Sequence, residues 1–272
     1  MIDNLARLIE KYWDSYRIGG ACDTRALSFT KFCQRIVGRH TKVLFFVTYR
    51  GAPLCIIKTV RSPEFSDALR NEAQAQSNAP CTTTLSAPRV LWEDVSVDRT
   101  VYAEEYIDSA PVSVATYSAL QREIVAFSGA LPHAGTVRVD RFISDIKPYL
   151  PTDTVIERHK GVLEKSSTVL ELGMTHGDLG RQNILGTASR AWVIDWERSG
   201  DIPFRYFDAV TYFMRVYRGD VNAQLRAVQT SLTLDKEGAE SILAVTNIYM
   251  SVYKKYPDAY REIVKIGRSM VP

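Results

Sequence analysis

Residues 175–185 read Thr175-His176-Gly177-Asp178-Leu179-Gly180-Arg181-Gln182-Asn183-Ile184-Leu185, and residues 193–197 read Val193-Ile194-Asp195-Trp196-Glu197. The first stretch sets a glycine before an aspartate and runs through a polar loop to an asparagine at the mouth of an apolar run. The second is an apolar run that ends in an aspartate. Short β signals over 183–185 and 191–194 predict two small strands joined by a turn, preceded by a loop. Asp178, Asn183 and Asp195 therefore fall at loop and strand ends, where side chains that bind or react are commonly presented.

On either side of this segment the apolar spacing is mostly helical, and it predicts helices over 114–128, 138–150, 154–172, 203–218, 223–232 and 236–255. The first third reads differently. Short runs rich in apolar, aromatic and β-branched residues predict strands over 32–37, 43–49 and 54–59, split by Gly38-Arg39-His40 and by Arg50-Gly51-Ala52-Pro53, which makes an antiparallel meander. A helix over 64–76, a loop over 80–88, a strand near 89–92 and another over 101–107 follow. Ile2, Leu5, Ile9, Tyr12 and Trp13 recur at helical spacing, so 2–16 is expected to be an amphipathic helix closed by Gly19-Gly20. The character changes at Asp108-Ser109-Ala110-Pro111. The expected fold is α+β, with a small N-terminal lobe over 1–107 (antiparallel sheet plus helix) and a larger, mostly helical C-terminal lobe over 108–272.

His176-Gly177-Asp178 followed by Asn183, and Ile194-Asp195-Trp196 after it, resemble the aminoglycoside phosphotransferase and choline kinase family, whose catalytic loop reads H-G-D-x-x-x-x-N and whose metal loop reads I-D-W/F. The resemblance implies a bilobal protein-kinase-like fold and phosphoryl transfer from ATP or GTP to a hydroxyl. It implies that Asp178 orients that hydroxyl and accepts its proton, and that Asn183 and Asp195 hold Mg²⁺. Such a reaction needs positioning and charge neutralisation more than covalent help, and Mg²⁺ prefers a few hard oxygen ligands with phosphates completing its shell. His176 is expected to buttress the loop, and Asp208 in Phe207-Asp208-Ala209 to tie helices together. Trp196-Glu197 stand where protein kinases have Phe-Gly, and Gly180 where they have a lysine, which favours a small-molecule branch. Arg181 and Glu197 are candidates for contact with the transferring phosphate or an anionic substrate, although Arg181 also reads as a surface arginine or as a partner of Glu197.

The first lobe offers an independent check, because Cys55-Ile56-Ile57-Lys58 ends an apolar strand in a lysine and Glu72 follows on the predicted helix. Alone, each would read as a solvated charge; together they match the phosphate-binding lysine and its helical glutamate. The turn at Gly38 could cradle phosphates with backbone N–H groups or be a plain hairpin turn. Glu105 and Tyr106 fall where a hinge would present backbone groups to the purine.

Composition bounds the rest. With 46% apolar residues, 24% charged and 34 basic against 31 acidic, for a formal charge of +3, the chain is an ordinary enzyme-sized protein without basic runs, so nucleic acid is not an expected partner. No transmembrane segment is expected, and a cytoplasmic location is. Cys22, Cys33, Cys55 and Cys81 show no metal-ligand spacing and read as reduced, mostly buried thiols. The expected acceptor is a small polar molecule of aminoglycoside, sugar or amino-alcohol type. The balance of 20 basic and 18 acidic residues over 111–272 shows no surplus of acid for a polycationic drug. It leaves open a kinase of a bacterial surface-glycan sugar, whose acceptor is an anionic saccharide. A protein kinase fits less well, since no A-P-E segment follows Asp195. Nucleotidyl transfer would use the same metal ligands. The tyrosines over 206–217 and 249–260 could stack on a sugar ring or a quaternary ammonium, but their spacing reads first as core.

Overall fold

A computed structural model describes residues 1–35, 41–60, 65–96 and 99–270 of the 272. The chain divides into two compact units, one of Met1–Ala79, Ala87–Ala110 and Ile194–Glu197, the other of Pro80–Ser86, Pro111–Val193 and Arg198–Pro272.

The first unit is built on a five-stranded antiparallel sheet in the order β1 (Leu27–Arg35), β2 (Thr41–Tyr49), β3 (Ala52–Val60), β6 (Arg99–Glu105), β5 (Val90–Ser96). Strand alternation sorts its residues onto two faces. Val43, Phe45 and Val47 of β2, Cys55 and Ile57 of β3, and Val101 and Ala103 of β6 are buried together with Leu5 and Ile9 of α1 (Ile2–Lys11) and with Trp13 and Tyr16. Each such large apolar side chain contributes about 1.5–3 kcal/mol relative to exposure. The other face carries Tyr102, packed against Leu69 and Ala73 of α2 (Ser66–Ser77), and beside it a set of charges. The expected N-terminal helix is α-helical only to Lys11 and tightens into a 3₁₀ turn over Trp13–Tyr16. There the Trp13 indole N–H donates to the Gly20 carbonyl at 2.8 Å and tethers the turn to the chain that follows it.

In the second unit α6 (Thr154–Leu163) stops well short of the predicted 172, and β8 (Val169–Gly173) forms an antiparallel pair with β7 (His133–Arg138), which the sequence reading did not foresee. The cause is visible in the side chains. Leu170 and Leu172 are buried while Val169 and Glu171 face outward, a period of two that short apolar runs share with a helix end. Ser166 and Ser167 break the helix by turning to Glu237, whose carboxylate accepts from the Ser166 hydroxyl at 3.1 Å and the Ser167 N–H at 3.0 Å.

The helix predicted over 114–128 divides at Leu120 into α3 (Val114–Ala119), capped by Ser113, and α4 (Gln121–Ala130). The one predicted over 138–150 is α5 (Val139–Ile146) followed by a 3₁₀ turn. Next come α7 (Phe207–Val216), α8 (Val221–Leu232), α9 (Lys236–Lys255) and α10 (Pro257–Ser269). Helix α7 starts later than predicted because Phe204 is bridged to Leu172. Helix α10 was not predicted, although Tyr260, Ile263, Val264 and Gly267 bury one face of it at helical spacing. A small sheet joins β4 (Leu85–Ser86) in parallel to β10 (Ala191–Val193), which pairs antiparallel with β9 (Ile184–Gly186).

Among the described residues no helix is long and apolar enough to cross a membrane. Cys22, Cys55 and Cys81 are free thiols, but only Cys55 is buried; Cys81 is exposed, so the expectation of mostly buried thiols fails for the described ones. Tyr212, Tyr249 and Tyr260 are buried and belong to the core of their unit.

Candidate active site

In the second unit, the loop between β8 and β9 is held from behind by buried polar contacts. The Thr175 hydroxyl donates to the Ile202 carbonyl at 2.8 Å, and the Ser199 hydroxyl to the Thr175 carbonyl at 2.8 Å. Asp208, in the first turn of α7, is fully buried and accepts the backbone N–H groups of His176 at 2.7 Å and Gly177 at 3.0 Å. Expected to tie helices together, Asp208 instead ties α7 to this loop. Burial pushes its carboxyl up, while the His176 side chain and the two N–H groups pull the other way. Gly177 has φ of 82°, and a Cβ there would sit 2.5 Å from the Arg198 carbonyl oxygen, so the turn accepts glycine only. The buried His176 ring accepts the Asp178 N–H at Nδ1, 3.3 Å away, and is no surface group.

These contacts fix the Asp178 backbone and leave its carboxylate outward, with 35% of the side chain exposed. The Asp178 carbonyl accepts the Gly180 N–H at 2.7 Å and the Asn183 side-chain amide at 2.9 Å, closing the loop through a 3₁₀ turn over Arg181–Asn183. Arg215 of α7 donates to Asp178 Oδ1 at 3.2 Å and to the Leu179 carbonyl at 2.8 Å. A carboxylate held in this way can accept a proton from a hydroxyl presented to its open side. Arg181 is exposed and donates to the Val112 carbonyl at 3.0 Å.

In the first unit, Lys58 and Glu72 meet at 3.0 Å, both buried. Lys58 also pairs with Glu104 at 3.0 Å. The register explains this: Ile56 opposes Glu104 and Lys58 opposes Tyr102, so Lys58 and Glu104 are diagonal neighbours on one face. Leu44 opposes Lys58, which puts Lys42 on that same face. Its ammonium lies 3.0 Å from Glu72, 3.1 Å from Asp195 and 3.1 Å from Glu197. Burial works against both ammonium charges, but the surrounding carboxylates outweigh it and hold each lysine above its ordinary value. Burial likewise opposes the Glu72 charge, and the two lysines overcome it and depress that carboxyl. For Glu197 burial wins, and its carboxyl is raised. Asp195 has φ of 65°, the left-handed region that non-glycine residues occupy at a cost of about 1–3 kcal/mol and that recurs at functional sites.

Glu105 ends β6 with its N–H on the Arg89 carbonyl at 2.9 Å, and the Tyr106 ring rests on Phe46 at 5.0 Å between centroids. Gly38 lies outside the described residues. Lys42, Glu104 and Arg215 were missed from the sequence. Lys42 left a trace, a charge at the head of the unbroken apolar run Val43 to Val47, and Glu104 left a weaker one beside Glu105. Nothing in the sequence brings Arg215 to Asp178, since that contact depends on where α7 packs. Among the described residues no group of three His, Cys, Asp or Glu is arranged to hold a metal by itself.

No protein-family model and no curated protein matches this sequence. Solved structures do. A macrolide 2'-phosphotransferase from Brachybacterium faecium superposes with a TM-score of 0.57 at 13% identity, covering 99% of this chain and 97% of that one. A type I macrolide 2'-phosphotransferase gives 0.56 at 11% identity, covering 99% and 96%. A proposed fructosamine-3-kinase from Haemophilus somnus gives 0.52 at 11% identity, covering 97% of each. The chain therefore has the α+β fold of these phosphotransferases along its whole described length.

Proposed function

We propose that this chain is a phosphotransferase that moves the terminal phosphoryl group of ATP or GTP onto a hydroxyl of a small polar molecule of aminoglycoside, sugar or amino-alcohol type. The observation that carries the reading is Asp178, an open carboxylate on a loop whose backbone is fixed by His176, Asn183 and Asp208. On this reading Asp178 orients the acceptor hydroxyl and takes its proton as the oxygen attacks the γ-phosphorus in line and the bond to the diphosphate breaks. Lys58, held by Glu72 and Glu104, neutralises nucleotide phosphate oxygens. Asn183 and Asp195 are hard oxygen donors of the kind Mg²⁺ takes, and the Asp195 carboxylate already attracts a cation, the Lys42 ammonium. Bound there with nucleotide, Mg²⁺ would neutralise charge building on the phosphates. Glu105 and Tyr106 supply backbone groups to the purine, and Arg181 and Glu197 are candidates to meet phosphate or substrate.

A second acceptor class, the sugar of an anionic surface glycan, gains support from Arg215, because a guanidinium 3.2 Å from Asp178 repels a polycation and suits an anionic neighbour of the reacting hydroxyl. The test is incubation of purified protein with Mg²⁺ and ATP or GTP against aminoglycosides, amino alcohols, sugars and anionic core oligosaccharides, followed by mass spectrometry. A gain of one phosphate, lowered by about 10²–10⁴ in kcat in Asp178→Asn, supports the reading. A gain of a whole nucleotidyl group, or turnover unaffected in Asp178→Asn, overturns it.

A further inference from the structure

Lys42 holds more acids than any phosphate-orienting lysine needs. Its side chain is 1% exposed, and its one ammonium faces Glu72, Asp195 and Glu197 at 3.0, 3.1 and 3.1 Å. Lys58 already serves Glu72, so Lys42 is not required to position that carboxylate. Its distinctive partners are the two acids on either side of Trp196. The cluster contains two lysines, Lys42 and Lys58, and four carboxylates, Glu72, Glu104, Asp195 and Glu197, a formal charge of two minus four, or −2. A divalent ion would cancel that excess. Glu197 Oε2 is buried and lies 3.1 Å from the Lys42 ammonium, so its charge is met by that lysine.

We propose that Glu197 joins Asp195 in facing the divalent ion and that Lys42 is a resident cation on both: without nucleotide its ammonium occupies the place of that ion, and the ion takes these carboxylates only in company with nucleotide phosphates. The phosphates supply oxygens the protein lacks and receive the displaced ammonium, which four rotatable bonds allow to swing while its strand stays paired. The nucleotide half of this statement rests on the phosphotransferase reading; the competition between Lys42 and a divalent ion does not. One consequence is that the free metal neither loads the empty site nor is held there after the nucleotide leaves. Asp195 and Glu197, which would repel each other if bare, stay neutralised throughout.

The test measures Mn²⁺ binding to nucleotide-free protein by the loss of the free-ion EPR signal, together with the shift in melting temperature on adding Mg²⁺. Wild type and Lys42→Arg, which keeps the cation, should bind Mn²⁺ weakly and melt at a temperature that Mg²⁺ does not move. Lys42→Met should bind Mn²⁺ at least about tenfold more tightly, a coupling of ordinary size between two binding events, and its melting temperature should rise with Mg²⁺. If Lys42→Met does not fold, Lys42→Met with Glu197→Gln keeps the cluster at one lysine against three carboxylates, again −2, and should still gain nucleotide-free Mn²⁺ binding through the freed Asp195. Variants that bind Mn²⁺ no better than wild type overturn the proposal. Wild type that binds no Mg²⁺–nucleotide overturns the phosphotransferase reading instead, so the two failures are separable.

Discussion

Replacing Asp208 by alanine removes the acceptor of two backbone N–H groups that have no solvent to turn to. The bonds are 2.7 Å from His176 and 3.0 Å from Gly177, and Asp208 is 0% exposed. Each orphaned buried donor costs about 1–3 kcal/mol, so the gross loss is about 2–6 kcal/mol. Part is returned, because burial already works against the ionised carboxylate and the variant no longer has to desolvate it. A net destabilisation of about 2–4 kcal/mol follows, a large share of the roughly 5–15 kcal/mol that holds an ordinary domain together. Asparagine keeps one oxygen but turns an NH₂ group toward the second donor, so Asp208→Asn should recover no more than about half of that loss. Urea unfolding followed by tryptophan fluorescence measures both, and phosphoryl transfer should fall alongside, since the Asp178 backbone hangs on the same turn. A loss below about 0.5 kcal/mol for Asp208→Ala, the size of a neutral surface change, would refute the view that this carboxylate holds the loop.

Gly177→Ala sets a Cβ 2.5 Å from a carbonyl oxygen at a left-handed φ, and should cost at least about 2 kcal/mol and most of the activity, read by the same unfolding curve and the kinase assay. Glu72→Gln leaves Lys42 and Lys58 short of a buried counter-charge and should destabilise by about 3–5 kcal/mol, measured by urea unfolding at neutral pH. The folded Glu72 carboxyl is depressed from its ordinary 4.5 to about 2, so its contribution is present above about pH 4.5 and is lost as pH falls toward 2. Wild type should lose about 3 kcal/mol across that window through this group, and Glu72→Gln should show a correspondingly flatter curve in acid titrations of stability.

Much of the fold was legible because its cause is local. Strands β2 and β3 are apolar runs punctuated by Arg50-Gly51, and α9 follows Asp235 and carries an apolar face, so residue order alone placed them, whereas β1, expected from Phe32, starts at Leu27. The misreadings arose where two periods share a short run. Val169 to Gly173 carries two buried leucines two residues apart, a spacing that decides for a strand only once β7 lies beside it. Leu120 ends α3 where the chain turns to begin α4, and no residue there is a strong helix breaker.

The candidate site divides in the same way. Asp178, Asn183 and Asp195 stand out because their spacing along the chain is the signal, and Lys58 with Glu72 because a strand and a helix in fixed order carry them. Sequence by itself thus determined the fold class and which residues to suspect. Only tertiary structure could decide that Asp208 reaches back across thirty-odd residues to the His176-Gly177 turn, that Arg215 stands at Asp178, and that Lys42 shares Glu72 with Lys58 while holding Asp195 and Glu197. Those contacts join residues far apart in the chain, and their energy comes from burial and charge pairing that exist only after the strands and helices have packed.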